Sequence, residues 1–202
     1  MTTVTHRDYA NIDPAGMDDD PGNWVAENKV KNAHSPAMRR KIGAWRWPLI
    51  REPVVREQLI DWVTEADRII DFGGAAGPLG YGSIVVDRIG THRGLEDIDG
   101  KVDLIFTAHT LEHVIDLGLV LCAFHWKLTD NGRLFILVPS HRAKGLRAEV
   151  WPHHAQTFCL STNGKLSPDY VQLDQLLARH RFIPRKVAEG HENIAIFAEK
   201  VP

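Results

Sequence analysis

Residues Val102–His141 read VDLIFTAHTLEHVIDLGLVLCAFHWKLTDNGRLFILVPSH. The opening VDLIF (Val102–Phe106) is a short apolar run with one acid, the composition of a strand covered on both faces. Leu117, Val120, Leu121, Phe124 and Leu128 then recur at helical spacing, which makes one core-facing stripe. Asp130-Asn131-Gly132 is a turn signal. RLFILV (Arg133–Val138) is a second apolar strand, stopped by Pro139. Strand, turn, helix, turn, strand is the grammar of a parallel α/β sheet. Ligands bind such sheets at the carboxyl ends of the strands. His109, Glu112 and His113 follow the first strand at that edge, and His141 follows the second.

The same grammar extends outward on both sides. Pro53 suits the first turn of a helix that carries Val55, Leu59, Trp62 and Val63 on one face. RIIDF (Arg68–Phe72) reads as a buried strand closed by the turn GGAAG, and SIVVD (Ser83–Asp87) as a strand ending in an acid. Tyr170–Arg181 reads as an amphipathic helix with Leu173, Leu176 and Leu177 inward. FIPRKVAE and NIAIFAEK are separated only by Gly190, His191 and Glu192, so they form an antiparallel hairpin. Residues 1–35 are poor in aliphatics and acidic at Asp18–Asp20. They read as an arm, pinned if at all by Trp24. Residues 36–202 form one domain.

Composition narrows the function classes. A net charge of −2 and a pI near 6.6 give no general attraction to nucleic acid. No apolar run reaches the roughly 20 residues that span a bilayer. The polar, acidic N-terminus has neither signal-peptide nor transit-peptide character. The two cysteines, Cys122 and Cys159, lack metal-ligand spacing and read as buried free thiols in a reducing cytoplasm. The expectation is a cytoplasmic protein without nucleic-acid or membrane partners.

The order Asp71-Phe72-Gly73-Gly74-Ala75-Ala76-Gly77, Val102-Asp103-Leu104-Ile105, Leu111-Glu112-His113, Gly132-Arg133-Leu134 and Val138-Pro139 resembles the class I S-adenosylmethionine-dependent methyltransferases, nearest the small-molecule group with an LEH motif. The late segments HHAQTF, RFIPRKV and NIAIFAEK are similar to that family's ending. The resemblance spans about residues 50–200. It implies a Rossmann-like, mostly parallel sheet with a C-terminal antiparallel hairpin, and S-adenosylmethionine as cofactor. Asp71, Gly73, Gly74, Ala75 and Gly77 would form the loop at its methionine end. Asp87 would hold the ribose hydroxyls, Glu96 or Asp97 would meet the adenine amine, and Thr107, Ala108 and His109 would border the cofactor. No resident metal ion is expected.

Two departures qualify the resemblance. Ala75 replaces the middle glycine of the loop. Only Pro78–Gly82 separate Gly77 from Ser83, too few for a helical crossover, and residues 88–101 lack a helical period. One sheet face would then need another cover: the arm, the AWRW segment (Ala44–Trp47), or a partner such as a second copy in a homo-oligomer. Trp45 and Trp47 read as packing aromatics, and Arg39-Arg40-Lys41 as a solvated face.

The leading expectation is methyl transfer to an oxygen or nitrogen of a small-molecule or glycan-like acceptor. His141 is the first choice of general base and His113 the second, with His153-His154 near the acceptor. A second reading is a methyltransferase-like scaffold without activity. A third is a zinc hydrolase, since His109-Thr110-Leu111-Glu112-His113 matches H-x-x-E-H. There His109 and His113 would bind the metal and Glu112 would be the base.

Overall fold

The computed structural model describes residues 47–202 apart from 75–78, 88–93, 144–153 and 164–167. The expectations for the arm, for Trp24, Arg39–Lys41, Trp45, Ala75, Gly77 and His153 lie outside the described residues. The helices are α1 (Pro48–Arg51), α2 (Pro53–Glu65), α3 (Leu117–Lys127) and α4 (Leu173–Arg179). The strands are β1 (Ile69–Phe72), β2 (Ile84–Val86), β3 (Val102–Ala108), β4 (Leu128–Pro139), β5 (Thr157–Cys159), β6 (Tyr170–Gln172), β7 (Phe182–Gly190) and β8 (Asn193–Lys200).

Six strands form one sheet in the order β2-β1-β3-β4-β8-β7. β2, β1, β3 and β4 pair in parallel. β8 runs against both β4 and β7, so it alone opposes the rest of the sheet. This is the mostly parallel α/β sheet with a closing hairpin that the strand pattern implied. The hairpin turn is tighter than expected: Gly190 pairs with Asn193, and only His191 and Glu192 make the turn, both at positive φ.

Each sheet face carries its own core. On one face Leu121 and Phe124 of α3 and Leu173 and Leu177 of α4 pack on Ile70, Ile105, Leu134, Ile136 and Ile196. On the other, Leu49 and Ile50 of α1 and Val55, Leu59, Ile60, Trp62 and Val63 of α2 cover Ile69, Leu104, Phe106, Phe135 and Phe197. α2 starts with Pro53 in its first turn, where the missing N–H costs nothing. Trp62 meets Phe197 edge-on at 5.0 Å between ring centroids. Residues 73–83 join β1 to β2, and the described ones hold no α-helix. Leu79 and Tyr81 of this link are buried in the same face as α2. The face short of a crossover helix is thus closed by the chain's own α1 and α2 and by the link itself.

Four sequence expectations need correction. Cys159 is buried as expected, but Cys122 is exposed on α3, on the side turned from the core. The helix expected over Tyr170–Arg181 begins only at Leu173, because Tyr170–Gln172 pair in parallel with Thr157–Cys159. Those residues give their backbone groups to a neighbouring strand rather than to a helical turn. Leu128 leaves the helical stripe and opens β4, paired with Val102. The Asp130-Asn131-Gly132 signal is an excursion inside β4: Leu128 pairs with Val102 and Arg133 with Leu104, so residues 129–132 bulge out between two bonded positions. Among the described residues no helix is long and apolar enough to cross a membrane.

Candidate functional site

The chain passes from β1 to β2 on one side of β1, then crosses to β3 on the other. The order therefore reverses between β1 and β3, which is where a parallel sheet opens a crevice at its carboxyl edge. Two turns meet there. Gly73 follows β1 with φ +80°, a conformation that L side chains avoid. A Cβ on Gly73 would lie 2.0 Å from Thr110 Oγ1, on the turn after β3. The Thr110 hydroxyl itself donates to the Phe72 carbonyl at 3.3 Å. Only a glycine lets the two turns press together.

Asp71 sits behind this junction and is 1% exposed. Its Oδ2 accepts the Leu79 N–H at 2.5 Å, which draws the end of the 73–83 link back onto β1. A Cβ on Gly74 would lie 2.3 Å from the Asp71 carboxylate, so that glycine is fixed by Asp71. Burial pushes the carboxyl up to about 7, against the opposing pull of the Leu79 N–H and with a further push from Asp87. Asp71 therefore organises the loop from inside it.

The other residues named for the donor lie after β2, in the link to β3, and at the end of β3. Asp87 directly follows β2, half-buried. Asp97 Oδ2 accepts the Gly94 N–H at 2.7 Å and caps a short 3-10 turn, Leu95–Asp97. Glu96 folds over Gly94, its carboxylate filling the space a Cβ would take. Thr107 is fully buried, and its Oγ1 has no hydrogen-bond partner among the described residues. Ala108 ends β3, half-buried.

Beyond β3 the chain turns sharply. His109 takes φ 51°, and its N–H donates to the Leu137 carbonyl at 2.8 Å. Trp47 stacks on its ring at 3.7 Å between centroids, 14° from parallel. His109 Nδ1 lies 3.3 Å from Glu112 Oε1, and His113 Nε2 lies 4.0 Å from the same oxygen. Glu112 is buried, and its Oε2 has no hydrogen-bond partner among the described residues. The Glu112 carbonyl accepts the N–H groups of Ala155 and Gln156 at 2.7 and 3.1 Å. This brings His154 against His113, edge to face at 4.8 Å. His141 stands in the turn after β4, with its N–H donating to the Phe158 carbonyl. Its ring is 5.7 Å from that of Tyr170, and its Nδ1 is buried without a hydrogen-bond partner among the described residues.

The structure overturns the helical H-x-x-E-H reading. That motif needs both histidines one turn apart on an α-helix. Here His109 is in a positive-φ turn, and only Leu111–His113 coil, as a 3-10 turn. His109 faces the Glu112 carboxylate. The reach of Thr110 to Gly73, the stacking of Trp47 on His109 and the docking of His154 on His113 were not legible from spacing. Each joins segments far apart in the chain.

A groove of about 420 Å³ lined by Gln58, Trp62, Arg185, Lys186, Phe197 and Glu199 opens near the amino-terminal end of β4. It is remote from the carboxyl edge, and Arg185 is paired to Glu199 across it.

No family model matches the chain, and no curated protein does. Solved structures do. A SAM-dependent methyltransferase from Aquifex aeolicus aligns with a TM-score of 0.50 at 17% identity, over 81% of this chain and 98% of that one. A Burkholderia thailandensis 1,6-didemethyltoxoflavin-N1-methyltransferase, solved with S-adenosylhomocysteine, aligns at 0.49 and 17% identity, over 91% and 92%. The chain spans 48% of the carbon methyltransferase CurJ and 60% of the pyocyanin biosynthetic protein PhzM, at TM-scores of 0.44 and 14% identity. At these identities the likeness concerns the fold alone: the mostly parallel α/β sheet with its closing antiparallel hairpin is shared with the Aquifex protein.

Proposed function

We propose that the chain is an S-adenosylmethionine-dependent methyltransferase acting on an oxygen or nitrogen of a small-molecule or glycan-like acceptor. The observation that carries this reading is the crevice between β1 and β3. A positive-φ glycine turn after β1, an acid just after β2 and a polar turn after β3 lie at one sheet edge. In this reading Gly73 and Gly74, with Ala75 and Gly77, let the backbone approach the methionine end of the donor. Asp71 holds that loop in shape. Asp87 accepts from the ribose hydroxyls, and Glu96 or Asp97 takes the adenine amine. Thr107, Ala108 and His109 form the floor.

Methyl transfer is an in-line displacement at an activated carbon, so the protein's task is alignment. A hydroxyl acceptor must also lose its proton. His141 suits that role, because its Nδ1 is already desolvated and unspent within the described residues. His113 stands second, since it lies beside Glu112.

Calorimetry with S-adenosylmethionine or S-adenosylhomocysteine tests the reading. One saturable site that is lost in Asp87→Ala is the expected result. Absence of binding at millimolar ligand sinks the enzyme and favours the scaffold alternative. His141→Ala is expected to keep donor affinity and lower turnover by about 100-fold, within the usual contribution of a general base.

A further inference from the structure

Glu112, His113 and His154 offer three ligating atoms that all lie within 4.8 Å of one another. Ligands about 2.1 Å from one zinc ion stand about 3.4 Å apart in a tetrahedron, so a contraction of at most about 1.4 Å closes the set. Three further observations show a built site. The Glu112 side chain is 2% exposed, and its Oε2 has no hydrogen-bond partner among the described residues. A buried carboxylate oxygen without a partner is costly, and a cation would relieve that cost. The other oxygen lies 3.3 Å from His109 Nδ1 and 4.0 Å from His113 Nε2, so it faces a ligand histidine while His109 orients the carboxylate as an outer-shell partner does. His109 is in turn held by Trp47. Finally, the segment that carries His154, just before β5, is held to Glu112 by two backbone hydrogen bonds, and Gln156 Nε2 donates to the carbonyls of Val114 and Ile115.

We propose that Glu112, His113 and His154 bind one divalent transition-metal ion of the zinc class, with His109 as the residue that positions Glu112. Two imidazoles and a carboxylate are the donor set of an open zinc site. The site differs from the H-x-x-E-H reading, because Glu112 is a ligand, His109 is not, and the third ligand comes from a distant loop. Both ligand histidines are partly exposed, which leaves a coordination position for water. Use of that position to hold an acceptor oxygen rests on the methyl-transfer reading, whereas metal binding itself does not.

The test is titration of the chelator-treated full chain with zinc, and with cobalt(II) for its visible bands, without any methyl donor. One saturable equivalent is expected. His154→Ala and the near-isosteric His154→Gln are both expected to weaken it at least 100-fold with an unchanged circular dichroism spectrum. His109→Ala should weaken it about 10- to 100-fold, as outer-shell partners do. A chain with 11 histidines can hold zinc elsewhere, so the His154 variants decide. No saturable binding in the wild type, or equal binding in either His154 variant, overturns the site. Failure of the donor titration alone leaves the metal result intact, and failure of metal binding leaves the donor result intact.

Discussion

Gly73, Gly74 and Asp71 show how much of the crevice is set by single residues. Gly74→Ala would drive a methyl into the Asp71 carboxylate, and Gly73 is the one residue type compatible with both its φ and Thr110. Asp71 also makes stability depend on pH. Its carboxyl is raised from 3.8 to about 7 by burial, so between those values the folded chain keeps a proton that the unfolded chain has lost. Its contribution is fully present below about pH 4 and is lost as pH rises through about 7, at most on the order of 4 kcal/mol. Urea unfolding should show the wild type losing more stability across that window than Asp71→Asn does. At the other edge of the fold, Arg181 follows α4 at φ 62° and donates its N–H to the Ala178 carbonyl. A left-handed residue after a helix favours glycine. Arg181→Gly should raise stability by about 1 kcal/mol, read as a higher thermal midpoint.

At the scale of elements, α2 does the work that the short β1–β2 link does not. Its apolar residues recur at helical spacing, and the sequence predicts the helix and its buried face correctly. What the helix covers was not legible, because amphipathicity gives a face and no partner. The partner is fixed by Phe106, Phe135 and Phe197 on the sheet. Leu59 is fully buried there. Leu59→Ala should cost about 2–5 kcal/mol, measured by denaturant midpoint; a cost near zero would mean that this face is not sealed by α2. α3 was similarly legible, with Asp116 Oδ1 accepting the Leu119 N–H as its cap at 2.9 Å. The Tyr170–Gln172 segment was misread for the opposite reason. Its apolar spacing fits a helix, but β5 captures its backbone.

For the whole molecule, the sheet is a shared wall between two cores, one under α3 and α4 and one under α1 and α2. β4 pairs on both sides, with β3 and β8, and its residues Leu134–Val138 are fully buried. β2 is a short edge strand. Hydrogen exchange should therefore be slowest in β4 and β8, at the rate set by global unfolding, and faster in β2 through local opening. Equal protection across β2 and β4 would contradict this division. The same wall explains the position of the candidate site. Its residues hang from the carboxyl ends of β1, β3 and β4, whose relative placement is locked by both cores.

The sequence by itself determined the α/β class, the strands of the sheet, the α2 and α3 stripes and the edge on which His109, His113 and His141 lie. Hydrophobic period and turn residues are local signals, and these features are local. Only the tertiary structure decided what meets at that edge. Thr110 reaches Gly73, Trp47 stacks on His109, and His154 joins Glu112 and His113 from 41 residues along the chain. Such contacts follow from strand order and from buried groups needing partners, and neither is written in spacing. VDLIFTAHTLEH thus announced a candidate site, while the fold chose which residues meet there.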